Sequence, residues 1–288
     1  MKKIVLFGST GQIGWELARH INKSFEILTP SRHEVDFLLP STVEYYLNEQ
    51  KPNIIINAAG YTNVDGAEQE SEIAKQINSE SVGVLATTSQ KIGALFVHYS
   101  TDYVFDGRKE YPYNERDVPN PINFYGTTKL DGENYIQQIG GKFLILRTSW
   151  IYGWRRKNFL TKFLDICKDR KEIPVVTDQI GNPTWCRDVA LTTRNILGLR
   201  EFYGQEISGL YHLASQGITS RHGWAAEIIN VLKLDVRLIG ITSSEYKSKA
   251  LRPINSGLDS SLLQTTLNFQ IPYWNTSLKI MTTQYNFT

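Results

Sequence analysis

A chain of 288 residues with 41% hydrophobic and 21% charged side chains holds enough apolar material for a sizeable core, which excludes intrinsic disorder. It suits one core with a small added lobe better than two independent domains. A formal charge of only +2 argues against a nucleic-acid partner, which would need an excess of cations to neutralise phosphates. Cys167 and Cys186, the two cysteines, make no disulfide framework and lack metal-ligand spacing.

The opening apolar run stops at Gly8, too short for a secretory signal. No later stretch approaches the roughly 18 apolar residues of a membrane span. No membrane partner is expected, and the cytoplasm is the expected location. Asn275-Thr276-Ser277 and Asn286-Phe287-Thr288 have the form of glycosylation sequons, which carry no meaning in a chain that is not secreted.

In chain order, 3–7, 25–28, 54–57, 95–100 and 143–148 are short Ile/Val/Leu/Phe-rich runs that predict buried strands. Segments 12–21, 43–49, 67–91 and 125–139 between them have helical spacing. Strand and helix in alternation predict an α/β fold, a Rossmann-type doubly wound parallel sheet covered on both faces. After Tyr152 the pattern loosens: 154–157 is a basic loop, 160–168 and 190–199 look helical, and 173–176 and 210–214 are strand candidates. The expected organisation is a cofactor-binding domain over 1–150 and a smaller C-terminal substrate-binding lobe over 151–288. Segments between about 186 and 215 are expected to return to the first sheet.

The first strand runs into Gly8-Ser9-Thr10-Gly11-Gln12-Ile13-Gly14 and then a helix. Glycines suit a sharp turn where a pyrophosphate must approach main-chain N–H groups, and the helix N-terminus adds partial positive charge. This position predicts dinucleotide binding by Gly8, Thr10, Gly11, Gln12, Ile13 and Gly14. The second strand ends at Leu28-Thr29-Pro30-Ser31-Arg32 with a cation and no acid. A guanidinium pairs with a 2′-phosphate that a carboxylate would repel, so NADPH is favoured and NADH is the alternative; a merely solvated Arg32 is the plainer reading. Asp36 and Phe37 follow where an adenine edge could be met. Ala58, Ala59 and Gly60 close the third strand with small side chains, which admit either a dinucleotide or a tightly packed helix.

Tyr125 and Lys129 stand four apart at a helix start and share a face. Ketone reduction needs a hydride on carbon and a proton on oxygen, and a phenol with a pKa of about 10 is a poor partner near neutrality. A nearby Lys129 ammonium and the oxidised nicotinamide are together expected to bring it to about 7, which takes about 4 kcal/mol; Tyr125 and Lys129 then also border the cofactor, and Lys129 can hold its ribose. Thr101 follows the fourth strand, and strand C-termini converge on one crevice in an open parallel sheet. Its hydroxyl is placed to polarise a substrate carbonyl.

Over nearly its whole length the sequence resembles the dTDP-4-dehydrorhamnose reductase family, extended short-chain dehydrogenases of sugar-nucleotide metabolism. The resemblance is carried by Gly8–Gly14, Asn57-Ala58-Ala59 with Thr62-Asn63-Val64-Asp65, Tyr99–Gly107, Pro121–Lys129 with Gly132-Glu133, and Arg147–Trp150 with Tyr152-Gly153. Asn158-Phe159, Asp178–Thr184 and Arg252–Ser256 continue it. It implies NADPH-dependent reduction of the C4 ketone of dTDP-4-dehydro-L-rhamnose, the last step of dTDP-rhamnose synthesis. Tyr125 would donate the proton, Lys129 would assist, and Thr101 would bind the carbonyl oxygen. Thr62, Val64, Asp102, Trp150 and Asn158 would lie around the substrate, with Thr62 also near the cofactor. An aromatic plane at Trp150 suits a deoxysugar ring, and a core position suits it nearly as well. Arg252 fits either a substrate diphosphate or a surface salt bridge. The resemblance also implies a homodimer and a magnesium ion at the subunit interface, though the sequence shows no metal constellation.

Related 4,6-dehydratases carry Thr-Asp-Glu where this chain has Thr101-Asp102-Tyr103, which disfavours dehydration. Ser31 replaces the acid that often precedes Arg32 in the family, which argues against NADH. A sugar-nucleotide epimerase, another deoxysugar reductase, and a non-catalytic regulatory subunit like that of methionine adenosyltransferase remain alternatives on the same scaffold. The intact Thr101, Tyr125 and Lys129 favour catalysis.

Overall fold

β-branched and aromatic runs bounded by Gly, Pro and Asn build the centre of the molecule. The computed structural model describes residues 1–21, 25–204 and 206–284; the sequon at Asn286 lies outside them. Six parallel strands form the main sheet: β1 (Lys2–Phe7), β2 (Phe25–Leu28), β3 (Ile54–Asn57), β4 (Leu95–Thr101), β5 (Phe143–Thr148) and β10 (Gly209–His212). Their order is β10-β5-β4-β3-β1-β2. From β1 the chain goes to β2 on one side and then crosses to β3 on the other, so the winding reverses between β1 and β3. That is where an open α/β sheet leaves a crevice at its strand C-termini.

Helices cover both faces. Toward one face α1 (Gln12–His20), α8 (Cys186–Tyr203) and α10 (Ser261–Leu267) bury Leu17, Val189, Leu197 and Leu263 against Ile4, Leu6 and Val97. On the other face α2 (Pro40–Gln50), α5 (Ser81–Ile92) and α6 (Phe124–Ile139) bury Leu47, Leu85 and Ile136 against Val5, Ile55 and Phe96. Each such aliphatic side chain contributes about 1.5–3 kcal/mol when fully buried.

A second core lies beyond β5. It gathers Trp150, Tyr152, Phe163, Trp185, Trp224 and Met281 from β6 (Ile151–Tyr152), α7 (Phe159–Asp169), β9 (Thr184–Trp185), α9 (Arg221–Leu232) and α11 (Trp274–Gln284). Two-stranded pairs complete this lobe: β6 with β9, β7 (Glu172–Val176) with β12 (Arg237–Ile241), and β8 (Ile180–Gly181) with β11 (Thr219–Ser220). Segment 186–212 leaves the lobe, with α8 against α1 and β10 beside β5.

The helical pattern over 67–91 is not one helix. It divides into α3 (Val64–Ala67), α4 (Ser71–Lys75), a π-helical turn over Gln76–Glu80, and α5. The wide turn carries Asn78, whose side chain accepts from the Tyr61 N–H and donates to the Tyr61 carbonyl and Thr128 Oγ1. α6 comes so close here that a Cβ on Gly132 would meet the Asn78 carbonyl oxygen at 2.4 Å. Close approach and hydrogen bonds to a neighbouring loop stabilise a turn that local propensity alone would not choose.

Candidate active site

The glycine loop is shaped by backbone contact. Gly8 has φ +77°, a left-handed conformation that costs a Cβ-bearing residue. A Cβ there would fall 2.5 Å from the Ala58 carbonyl, and one on Gly14 would fall 2.1 Å from the Gly8 carbonyl oxygen. α1 therefore starts directly against the loop. Its N-cap, Gly11, has no side chain to satisfy the first helical N–H groups, and those donors suit an anionic ligand. This cradle fits the diphosphate of a dinucleotide. Ala58 and Ala59 are half-buried beside it and Gly60 is exposed.

Two residues of the basic loop also reach the cradle. Arg155 and Arg156 each donate from Nε to the Thr10 carbonyl, at 3.2 and 3.1 Å. Sequence reading saw only a basic loop, because nothing local tells which surface it meets. Asn158, expected near substrate, caps α7 in a reciprocal capping box with Thr161 and donates to Gln12 Oε1 at 2.9 Å. It ties the lobe to the cofactor loop.

At the end of β2, Arg32 is largely exposed, with Nε 3.6 Å from an Asp36 carboxylate oxygen. The same carboxylate accepts from the Leu38 N–H. Phe37 is buried edge-on against Phe7, so its ring belongs to the core under the cofactor edge and not to an open surface.

β4 ends at Thr101 and turns through a 3₁₀ turn at Asp102–Val104. Asn123 caps α6 by accepting from the Gly126 N–H at 2.8 Å. A Cβ on Gly126 would lie 2.1 Å from the Tyr103 carbonyl oxygen, so only glycine lets the helix start press on that turn. Tyr125 is thereby set edge-on to Tyr103, ring centroids 6.0 Å apart, with the Thr101 hydroxyl among the groups that act on its phenol. Thr101 Oγ1 also donates to Asp102 Oδ1 at 3.1 Å.

Lys129 reaches the same strand one turn on, by a different contact. Its Nζ donates to the Tyr99 carbonyl at 2.7 Å and lies 3.1 Å from His98 Nε2. Burial lowers its pKa to about 8, with the Glu133 carboxylate opposing. The Tyr125 pKa is raised, by burial first; the Thr101 hydrogen bond opposes this, while Asp102 and Tyr103 add to it. The expectation that Lys129 draws the phenol down to about 7 is therefore corrected. The lysine nitrogen is engaged with β4, and the phenol's neighbours are a hydroxyl, a carboxylate and a second phenol.

Asp102 is buried and its pKa is raised to about 6 by desolvation, against hydrogen bonds from Ser256, Ser149 and Thr101 and the charge of Arg221. Ser149 donates to Asp102 Oδ2 at 3.1 Å. Sequence reading gave no role to Ser149, Ser256 and Arg221, three residues of two common polar types in distant segments with no spacing signal.

Trp150, in the left-handed region at φ +44°, does not present an open ring. The Arg221 guanidinium lies over it at 3.5 Å from the centroid, and Gly181 sits so close that a Cβ would meet the indole at 2.5 Å. Arg252 is not a free cation. It donates to Asp65 at 2.8 Å and to the Ala250 carbonyl, and Asp65 also accepts from the Ala250 N–H. Thr62 is exposed and Val64 half-buried on the neighbouring segment. Among the described residues no group of three or more His, Cys, Asp or Glu side chains could hold a metal ion. Among the same residues no helix is long and apolar enough to cross a membrane.

A family model described as the RmlD substrate binding domain matches residues 1–287. The dTDP-4-dehydrorhamnose reductase of Burkholderia thailandensis is 42% identical over 283 residues, covering 94% of this chain and 95% of that protein. That of Salmonella typhimurium is 37% identical, covering 98% and 97%. Among solved structures, a dTDP-4-dehydrorhamnose reductase from Bacillus anthracis in complex with NADP aligns with a TM-score of 0.91 at 32% identity, covering 99% of both chains. One from Clostridium acetobutylicum aligns with a TM-score of 0.92 at 34% identity, covering 98% and 99%. With a glycine cradle at the winding reversal, a Thr101–Tyr125–Lys129 group on β4 and α6, and likeness along the whole chain, this protein belongs to the dTDP-4-dehydrorhamnose reductase family.

Proposed function

We propose that the chain reduces the C4 ketone of dTDP-4-dehydro-L-rhamnose to dTDP-L-rhamnose with NADPH. The observation that carries the reading is the Tyr125 phenol, set by the start of α6 against the 3₁₀ turn that follows Thr101 at the end of β4, with a cradle that fits a dinucleotide in the same sheet. The relatives' activity and the NADP complex of the Bacillus anthracis protein support it.

When bound, the reduced nicotinamide supplies the hydride. Gly8, Thr10, Gly11, Gln12, Ile13 and Gly14 would hold the diphosphate, with Arg155 and Arg156 closing over Thr10. Arg32 would meet the 2′-phosphate, while Asp36, Ala58, Ala59, Gly60 and Thr62 would border the rest. Tyr125 stays a phenol in its desolvated setting and so keeps the proton that the ketone oxygen must gain. Thr101 orients the carbonyl oxygen toward that phenol. Lys129, one turn further along α6, ties that helix to β4 through the Tyr99 carbonyl. Asp102, held by Ser149 and Thr101, and Val64 and Trp150 would line the sugar.

In this reading residues 1–150 with the returning β10 hold the dinucleotide, and residues 151–288 shape the substrate pocket. A cytoplasmic homodimer is the working form proposed from the resemblance. The test is NADPH oxidation by the purified protein in the presence of dTDP-4-dehydro-L-rhamnose. Turnover with NADPH ahead of NADH is expected, and absence of turnover overturns the assignment.

A further inference from the structure

Lys129 ends a buried polar chain whose hydrogen-bond directions are set from its far end. The Ala59 backbone N–H can only donate, and Asn57 Oδ1 accepts it at 3.1 Å. That fixes the Asn57 amide, so its Nδ2 faces His98 Nδ1 at 3.2 Å. An N–H aimed at a ring nitrogen requires a lone pair there, and a neutral imidazole then carries its proton on Nε2. The ring is fully buried, and desolvation above all holds its pKa well below the ordinary value, so the doubly protonated form is excluded. Nε2–H therefore points at Lys129 Nζ, 3.1 Å away. Two hydrogens cannot share that gap. The contact is a hydrogen bond only if Nζ offers a lone pair, while the amine's own N–H donates to the Tyr99 carbonyl.

We propose that His98 is a positioning residue for the Tyr125–Lys129 pair: its Nε2–H faces Lys129 Nζ and favours the lysine's neutral amine over its ammonium in the cofactor-free protein. Asn57, anchored by the Ala59 N–H, sets the tautomer that makes this possible.

The groups around Lys129 agree with this assignment. Glu133, one turn along α6, favours the ammonium, but Arg147 on β5 holds it in a buried bidentate pair at 2.6 Å. From β4 come the His98 ring and the Tyr99 carbonyl, and from β3 the uncharged Asn57. Among the described residues the charged group acting on His98 is Lys129. Burial acts in the same direction as the His98 dipole, against the ammonium.

The hydrogen bond from Nζ to the Tyr99 carbonyl then holds the lysine against β4, one helical turn from Tyr125. That positioning role rests on the reduction proposed above; the charge state of Lys129 does not.

Two measurements on the full, cofactor-free chain test the proposal. Nitrogen resonances of labelled histidine report the His98 tautomer directly, and Nε2–H is expected; a proton on Nδ1 overturns the proposal without any variant having to fold. In protein with labelled lysine, the Lys129 signal is assigned by its loss in Lys129→Met and then titrated. His98→Leu removes the opposing donor, so the Lys129 midpoint should rise by about one pH unit or more. A midpoint that stays or falls refutes the assignment, since a fall means that His98 was accepting from an ammonium. If the reduction fails, the tautomer and the titration still decide the role of His98.

Discussion

Tyr125 and Lys129 have pKa values displaced in opposite directions, the phenol upward and the ammonium downward, both chiefly by burial. Each neutral form is favoured by the same dry crevice. The pair is therefore loaded to give a proton to a ketone, the direction that a reductase needs. Tyr125→Phe removes the donor and leaves the ring packed against Tyr103. Turnover should fall by about 10²–10⁴-fold while dinucleotide affinity, measured by calorimetry, stays nearly unchanged; activity that survives rules out the proton-donor role. These three residue types at a strand end and a helix start were readable in the sequence, because strand C-termini must converge. The partners that tune them were not. Arg221 lies 119 residues beyond Asp102 in number, and no pattern announces that a guanidinium covers Trp150.

The element that most constrains the site is the loop between β1 and α1. Its positional signal was strong because a glycine motif that ends a strand and opens a helix has a mechanical reason for each glycine. Gly14→Ala tests that reason, since the added methyl would sit 2.1 Å from a backbone oxygen that cannot rotate away. The helix must retreat, so dinucleotide affinity should fall at least about tenfold, with overpacking costing about 1–3 kcal/mol of stability. Unchanged affinity together with an unchanged Tm would show that the loop is not held as described. The strand boundaries at 25–28, 54–57 and 143–148 match the structure because short apolar runs there are bounded by turn residues. The helix over 67–91 failed because periodicity reports which face is buried and not whether the ladder stays i→i−4. The π turn at Asn78 answers to Tyr61 and Thr128, neither of which is local to it.

Across the whole molecule, buried titratable groups shape stability against pH. His212 lies on β10, donates from Nδ1 to the Tyr113 carbonyl at 3.0 Å, and has its pKa lowered to about 3, by burial first and then by Arg147. Below the ordinary value of 6.5 the unfolded chain takes up a proton that the folded chain refuses. Stability is present above that value and is lost as pH falls toward about 3, at about 1.4 kcal/mol per pH unit. Asp102 and Asp188, raised to about 6, act in the opposite sense, because the folded state holds their protons more tightly. The net slope is muted, so a variant comparison is needed to isolate one group. His212→Asn keeps a donor for Tyr113 and cannot titrate. Its denaturant midpoint should decline less than that of the parent between neutral and mildly acid pH, and parallel declines would remove His212 from the account.

The order β10-β5-β4-β3-β1-β2 closes the sheet with a strand drawn from the second half of the sequence. Five strands leave the ribosome before their sixth neighbour exists, and β5 waits about 60 residues for β10. At about 5–20 residues per second that is several seconds with an unpaired apolar edge. The nascent chain is therefore most open to mispairing with another copy of itself during that interval, and a gene truncated near codon 150 would prolong the hazard indefinitely.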